Sequence, residues 1–248
     1  MQNSKLSNRY WTVNRSAAFP LVNTEHRLAI FVRAMPFMLF IAVLAVRRQL
    51  PQAAYNSSAF DARWLYTVQV AAALVPLVIW RRRFGELAQV PRSLRSLLLS
   101  VVAGLAVFLL WIAPLPAWTH LGATAAAFIP VDASGELRWD LVIARTFGAV
   151  LVVPLMEELF WRSFLMRWID DRDFLRLSPS SITWLAVIAS SAVFALAHDL
   201  WLIGFVAGVI FATVYRGTGS LWHTITAHAT SNLALAFWVV SERAWEFW

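Results

Sequence analysis

The chain has 248 residues, of which 60% are hydrophobic and only 14% charged, a balance that excludes an ordinary soluble domain and fits a polytopic membrane protein. It contains no cysteine, which excludes disulfides, thiolate metal sites and a cysteine nucleophile. The net charge is +7, yet the arginines sit at the ends of apolar runs rather than on one polar face, which argues against nucleic acid as a partner.

Residues 1–27 are polar and carry Lys5, Arg9, Arg15 and Arg27. The segment is too long and too mixed for the basic region of a signal peptide, and no small-residue cleavage site follows the first apolar run. It reads as a retained N-terminal tail. Residues 28–248 read as one transmembrane helical domain without internal repeats. Leu28–Val46 comes first, with Arg33 and Pro36 inside it, followed by Leu65–Trp80 and Ser96–Ala113. Ala117–Val131, with His120 and Gly122, is weakly apolar and fits a re-entrant helix or a loop. Leu141–Ile169 is long enough to span and protrude; Ile182–Ala197, Leu200–Tyr215 and Leu221–Val240 complete the set. Crossing a bilayer takes about 20 residues, so the shorter runs borrow from their flanks. The expected fold is an all-α polytopic bundle of about 7–8 transmembrane helices, the last of these only if Ala117–Val131 inserts. Trp64, Trp80, Trp139, Trp168, Trp201 and Trp222 flank these runs as an interfacial aromatic belt does.

Arginine placement gives an orientation. Arg81, Arg82, Arg83, Arg92 and Arg95 follow the second span, and Arg167, Arg172 and Arg176 follow the fourth. With seven alternating helices both clusters fall on the side of the N-terminal tail, which the positive-inside rule makes cytoplasmic. Arg47, Arg48, Arg63, Arg138 and Arg243 lie on the opposite side and weaken the bias.

Polar side chains inside the spans need partners, because lipid supplies none. The fourth span holds Glu157, Glu158 and Arg162. Glu158 and Arg162 are four apart, on one helix face and able to pair, while Glu157 points about 100° away. One carboxylate can therefore be neutralised while the other is left for chemistry; the alternative is a wholly structural ion cluster. Pro154 lacks a backbone donor and is expected to kink the helix just before the pair. The fifth span ends with Phe194 and, one turn on, His198; the last carries His228 and, one turn on, Asn232. Interfacial placement for His198, and helix–helix hydrogen bonding for His228 and Asn232, are the competing explanations. His223 lies off the His228 face and reads as structural; His26 and His120 read as solvated. Gly204 and Gly208 favour close helix approach. Depth is a tension: Glu157 lies roughly 15–20 Å from the cytoplasmic end of its helix, His198 roughly 20–25 Å and His228 about 12 Å. The three meet only if helices tilt or the His198 helix begins outside the bilayer.

Taken together, Glu157-Glu158-x-x-x-Arg162, Phe194-x-x-x-His198 and His228-x-x-x-Asn232 resemble, in order and spacing, the signature of the CAAX-protease and bacteriocin-processing (CPBP, or ABI) family of intramembrane proteases. The matched core runs from about Leu141 to Val240. The resemblance implies a helical membrane bundle with a polar cavity and an endopeptidase that cleaves a membrane-associated protein or peptide. It implies Glu157 as the base that activates water, and His198 as holding that water or a metal. It implies His228 and Asn232 as positioning the attacked carbonyl, with Glu158 and Arg162 as the supporting pair and Phe194 beside His198. Zinc is a candidate cofactor, since Glu157, His198 and His228 could supply a two-histidine, one-carboxylate set. The compact His-Glu-x-x-His motif is absent, and a metal-free glutamate–water mechanism is also argued for eukaryotic members.

The arginine-rich tail and compact domain suggest a bacterial inner-membrane protein, where prenylated substrates are not expected; some such members accompany protein-sorting systems. The oligomeric state is open. The competing function is non-hydrolytic: a transporter or proton relay, or a binding or immunity protein on the same scaffold, since buried carboxylates and histidines also mark ion pathways.

Overall fold

The computed structural model describes residues 24–50, 61–88, 90, 93–121 and 127–248. Most of the polar tail, Arg92 and Gly122 lie outside the described residues. All seven expected helices form: α1 Thr24–Arg48, α2 Leu65–Ile79, α3 Leu94–Trp111, α4 Trp139–Asp170, α5 Trp184–Ala195, α6 Trp201–Thr218 and α7 Leu221–Glu242. Helix α1 begins at Thr24, so the last residues of the polar tail are already helical. Five helices, counting the turn Ala62–Trp64 that leads into α2, are long and apolar enough to cross a membrane; α5 is apolar but has only 12 residues. The weakly apolar 117–131 stretch contains, among its described residues, only the short turn Ala117–Thr119 and two isolated bridges, His120 to Leu200 and Val131 to Leu137. It does not supply an eighth span there.

Helix ends follow their local chemistry. The Ser93 hydroxyl accepts from Ser96 N–H and opens α3, and the Thr183 hydroxyl accepts from Ala186 N–H and opens α5. Gly219, at φ 69°, closes α6 in the left-handed region that glycine adopts without strain. Asp170 accepts from both the backbone N–H and the hydroxyl of Thr183, which ties the end of α4 to the start of α5.

Contacts between connections fix the alternation. At one end, Arg33 of α1 meets Glu86 after α2, and Asp170 meets Thr183. At the other, Trp201 donates to Trp118 O, Phe128 N–H donates to Trp248 O, and Arg48 pairs with Asp199. Helix α4 runs through the middle of the bundle against α1, α2, α5 and α7. Helix α3 lies along α7, where Gly104 comes so close that a Cβ there would clash with Ala227 O. The outer face of α3, with Leu98, Leu99, Val102 and Leu109 exposed, has the character of a lipid-facing surface.

Two of the arginines that weakened the orientation argument are buried and engaged. Arg63 bonds Asp61, Ile129 O and Val131 O, and Arg47 bonds Gln69. At the other end Arg81, Arg82, Arg83, Arg172 and Arg176 are exposed.

Candidate active site

The site is set by an irregularity in α4. Its first α-helical stretch, Trp139–Phe147, gives way to a π segment, Gly148–Val152. A short α stretch, Val153–Glu158, follows, then a second π segment, Leu159–Met166, and a last α turn, Arg167–Asp170. The glutamate pair thus closes a six-residue island between two π segments, features that are rare in helices and concentrate at functional sites. The break expected at Pro154 takes this form. Pro154 is the second residue of the island, and the wide turn lies immediately before it.

The two carboxylates divide as the helix geometry suggested. Glu158 is fully buried; its Oε1 accepts from Arg162 Nη1 at 3.1 Å and from His228 Nδ1 at 2.8 Å. Arg162 also donates to Gly208 O at 3.3 Å, and its guanidinium lies 4.6 Å from the centre of the Phe194 ring. His228 stacks on Phe211 with ring centres 4.9 Å apart. Glu158 is therefore committed to a network joining α4, α6 and α7. Glu157 is also buried, at 8% exposure, and takes no part in that network; its Oε2, like Glu158 Oε2, has no hydrogen-bond partner among the described residues. Charge interactions connect Glu157 with Glu158, Arg162 and His228, and connect His198 with His228 and Arg162. The expected residues converge on one region.

The histidines have defined orientations. His198 Nδ1 lies 2.9 Å from Phe194 O, and a carbonyl only accepts, so Nδ1 carries the hydrogen and Nε2 keeps its lone pair. The Phe194 ring packs on His198 at 4.4 Å, and Trp111 approaches edge-on at 5.6 Å. His228 likewise spends Nδ1 on Glu158, which leaves Nε2 for other partners. Such anchoring of one ring nitrogen is how metal-ligating and proton-transferring histidines are both held. As for zinc, no three His, Asp or Glu side chains among the described residues are grouped closely enough to hold a metal ion. The orientations suit a metal but the grouping does not, so no step below is routed through one.

Asn232 does not reach toward Glu157 with its first donor. Its Nδ2 donates to Ala149 O, in the first π segment, at 2.7 Å. His223 is buried with no hydrogen-bond partner for Nδ1 among the described residues, and His26 is not fully solvated: its ring meets Phe174 edge-on at 5.5 Å. Gly204 and Gly208 do face α5; a Cβ on Gly208 would lie 2.9 Å from Ser191 Cβ, and one on Gly204 3.2 Å from His198 Cβ. That close approach brings Gly208 O to Arg162.

Several participants are absent from the sequence reading. Arg145 lies inside α4 with its guanidinium 4.4 Å from the centre of the Tyr66 ring, and Arg47 reaches the same ring at 5.5 Å. Glu86 receives Arg33 Nη2 at 2.7 Å and the Ser163 hydroxyl, which clamps the second π segment to α1 and to the connection after α2. Burial pushes the Glu86 carboxyl up, but the hydrogen bonds and charge of Arg33, helped by Ser163, outweigh it and hold Glu86 below the usual carboxylate range. Arginine inside an apolar run was the available signal for Arg145. Glu86 had none, because its partners lie far away in sequence.

Residues 139–234 match the family model described as Type II CAAX prenyl endopeptidase Rce1-like. Comparison with curated proteins and with solved structures gave no match. The matched stretch agrees with the core expected from the three motifs, and the match supports a CAAX-type intramembrane endopeptidase in general. The chain is a multi-pass membrane protein, and the stretch of it that holds Glu157, His198, His228 and Asn232 is similar to the CAAX-protease family.

Proposed function

We propose that the protein is an intramembrane endopeptidase that hydrolyses a peptide bond of a membrane-associated protein or peptide with water activated by Glu157. The observation that carries this reading is the division of labour within the pair. Glu158 Oε1 accepts from both Arg162 and His228, whereas Glu157, buried beside them, takes part in neither bond; the Oε2 of each has no hydrogen-bond partner among the described residues. A structural cluster would have no reason to bury the second carboxylate unpaired, since an uncompensated buried charge is costly.

In this mechanism Glu157 takes a proton from water as the water oxygen bonds to the scissile carbonyl carbon. His198 Nε2 accepts the other O–H of that water. The carbonyl electron pair moves to oxygen beside His228, where the second amide hydrogen of Asn232 receives it; one such donor in a dry site is worth about 3–4 kcal/mol. Collapse breaks the C–N bond, and the proton held by Glu157 passes to the leaving nitrogen. Zinc, if held by Glu157, His198 and His228, would polarise the water and carbonyl, but among the described residues these side chains are not grouped closely enough to hold it, and the mechanism uses the protein groups alone. The exposed Arg81, Arg82, Arg83, Arg172 and Arg176 at one end support that end, and with it the N-terminus, being cytoplasmic. The substrate is a membrane protein or lipidated peptide, in some systems supplied by protein sorting.

The test is terminal proteomics of membranes from cells carrying wild type or Glu157→Gln, expressed equally. Termini made only by wild type support the reading and name the bond. Identical termini would shift the site to a proton relay or to binding without hydrolysis.

A further inference from the structure

The first π segment has a defined register. Val153 N–H donates five residues back, to Gly148 O. The next donor in that register is residue 154, and its acceptor is Ala149 O. Residue 154 is proline and has no N–H. Ala149 O is the atom that Asn232 Nδ2 occupies, at 2.7 Å, from α7.

We infer that Asn232 is a positioning residue: its amide replaces the backbone donor missing at Pro154 and pins the register of α4 on which Glu157 and Glu158 ride. The reason a pin is needed lies in the pair itself. Adjacent residues on a helix differ by about 100° in direction and about 1.5 Å in rise. If the π segment slid by one residue, the island Val153–Glu158 would rotate by about that angle. Glu157 would then turn toward the place where Glu158 meets Arg162 and His228, and the free carboxylate would be lost. The Ser163 and Arg33 bonds to Glu86 hold the far side of the pair, beyond the second π segment. Asn232 holds the near side. His228, one turn earlier on the same helix, bonds Glu158, so a single face of α7 sets both the position of the pair and its register. This role rests on Glu157 as the working carboxylate, but the pin itself is independent of what the carboxylate does.

The test needs no substrate. Asn232→Leu, Pro154→Ala and the double variant are purified in detergent and compared by thermal midpoint. A second readout is the rate at which dicyclohexylcarbodiimide labels Glu157, located by peptide mass spectrometry. Asn232→Leu is expected to lower the midpoint by about 2–4 °C and to change the Glu157 labelling rate several-fold. Pro154→Ala restores an N–H at residue 154, so adding Asn232→Leu to it should lower the midpoint far less and leave labelling nearer wild type. Asn232→Gln, which keeps the amide donor on a longer arm, should recover part of both signals and covers the case in which the leucine variant does not fold. Additive midpoint shifts, or Glu157 labelling indifferent to residue 232, would overturn the pin and leave Asn232 a substrate contact only. Loss of proteolysis by Glu157→Gln is a separate outcome, so the two readings fail independently.

Discussion

Replacing Arg162 by methionine keeps an unbranched apolar stem and removes the guanidinium, which leaves Glu158 buried with only His228 as a hydrogen-bond partner among the described residues. Breaking a buried pair from one side costs about 3–5 kcal/mol, because the surviving charge stays in a low-dielectric interior. Two smaller losses add to it: the hydrogen bond to Gly208 O at 3.3 Å and the stacking over Phe194 at 4.6 Å, each about 1 kcal/mol. The first figure should dominate, and a second substitution isolates it. Glu158→Gln retains an acceptor for His228 Nδ1 but no charge. The double variant should therefore recover the stranded-charge part and keep only the smaller losses, about 2 kcal/mol. Thermal unfolding in detergent reads this directly. At about 2–4 °C per kcal/mol, Arg162→Met should fall by about 10 °C or more and the double variant by less than half of that. A double variant no more stable than Arg162→Met would refute the argument that Arg162 is there to neutralise Glu158.

Further outcomes follow from other contacts. Gly208→Val should destabilise the bundle, because even its Cβ would lie 2.9 Å from Ser191 Cβ and 3.1 Å from Ser191 Cα; thermal midpoint is the readout, and Ser191→Gly should partly relieve it. Glu86, held low by Arg33 and Ser163, contributes stability that is complete above its unfolded value, about 4.3, and is lost as pH falls through the lower folded value. The midpoint gap between wild type and Glu86→Gln should therefore narrow only in acid below about pH 4; a gap that closes near neutrality would place the effect elsewhere. Purified protein extracted with a chelator should retain activity if the protein groups alone position the water, with metal content measured in parallel. Activity that falls on chelation and returns with zinc would instead place Glu157, His198 and His228 around a metal.

Much of the architecture was legible because hydropathy is a long-window property. Each of the seven apolar runs became a helix with ends shifted by a few residues, and the four-residue spacing of Glu158 and Arg162 survived as a direct bond. The pairing of His228 with Glu158 was not readable, since it joins residues 70 apart. Nor were the π segments. They change the register by one residue without a composition of their own, and only Pro154 hinted at a break. Asn232 shows the same limit from the other side. Its residue type announced a need for a partner, but the partner is a backbone carbonyl, Ala149 O, which no letter in the sequence marks. The conflict in depth between His198 and the other two residues came from treating residues 182–197 as a full span, whereas α5 stops at Ala195 after 12 residues.

That short helix has a consequence for the membrane itself. Twelve residues reach about 18 Å, against a hydrocarbon layer of about 30 Å. Beyond Ala195 the chain turns through Leu196–Leu200, held by its own short-range bonds and by Leu121 N–H on Asp199 O. Leu196 is exposed there, and Trp118 and Trp201 pack together at the same end of the bundle. Acyl chains alongside α5 meet a helix shorter than their own span, a mismatch that local thinning of the leaflet beside His198 would relieve. A peptide substrate of the proposed reaction, approaching from that side, would meet less than the full thickness of the bilayer, and its backbone would travel a shorter distance out of water before it reached Glu157.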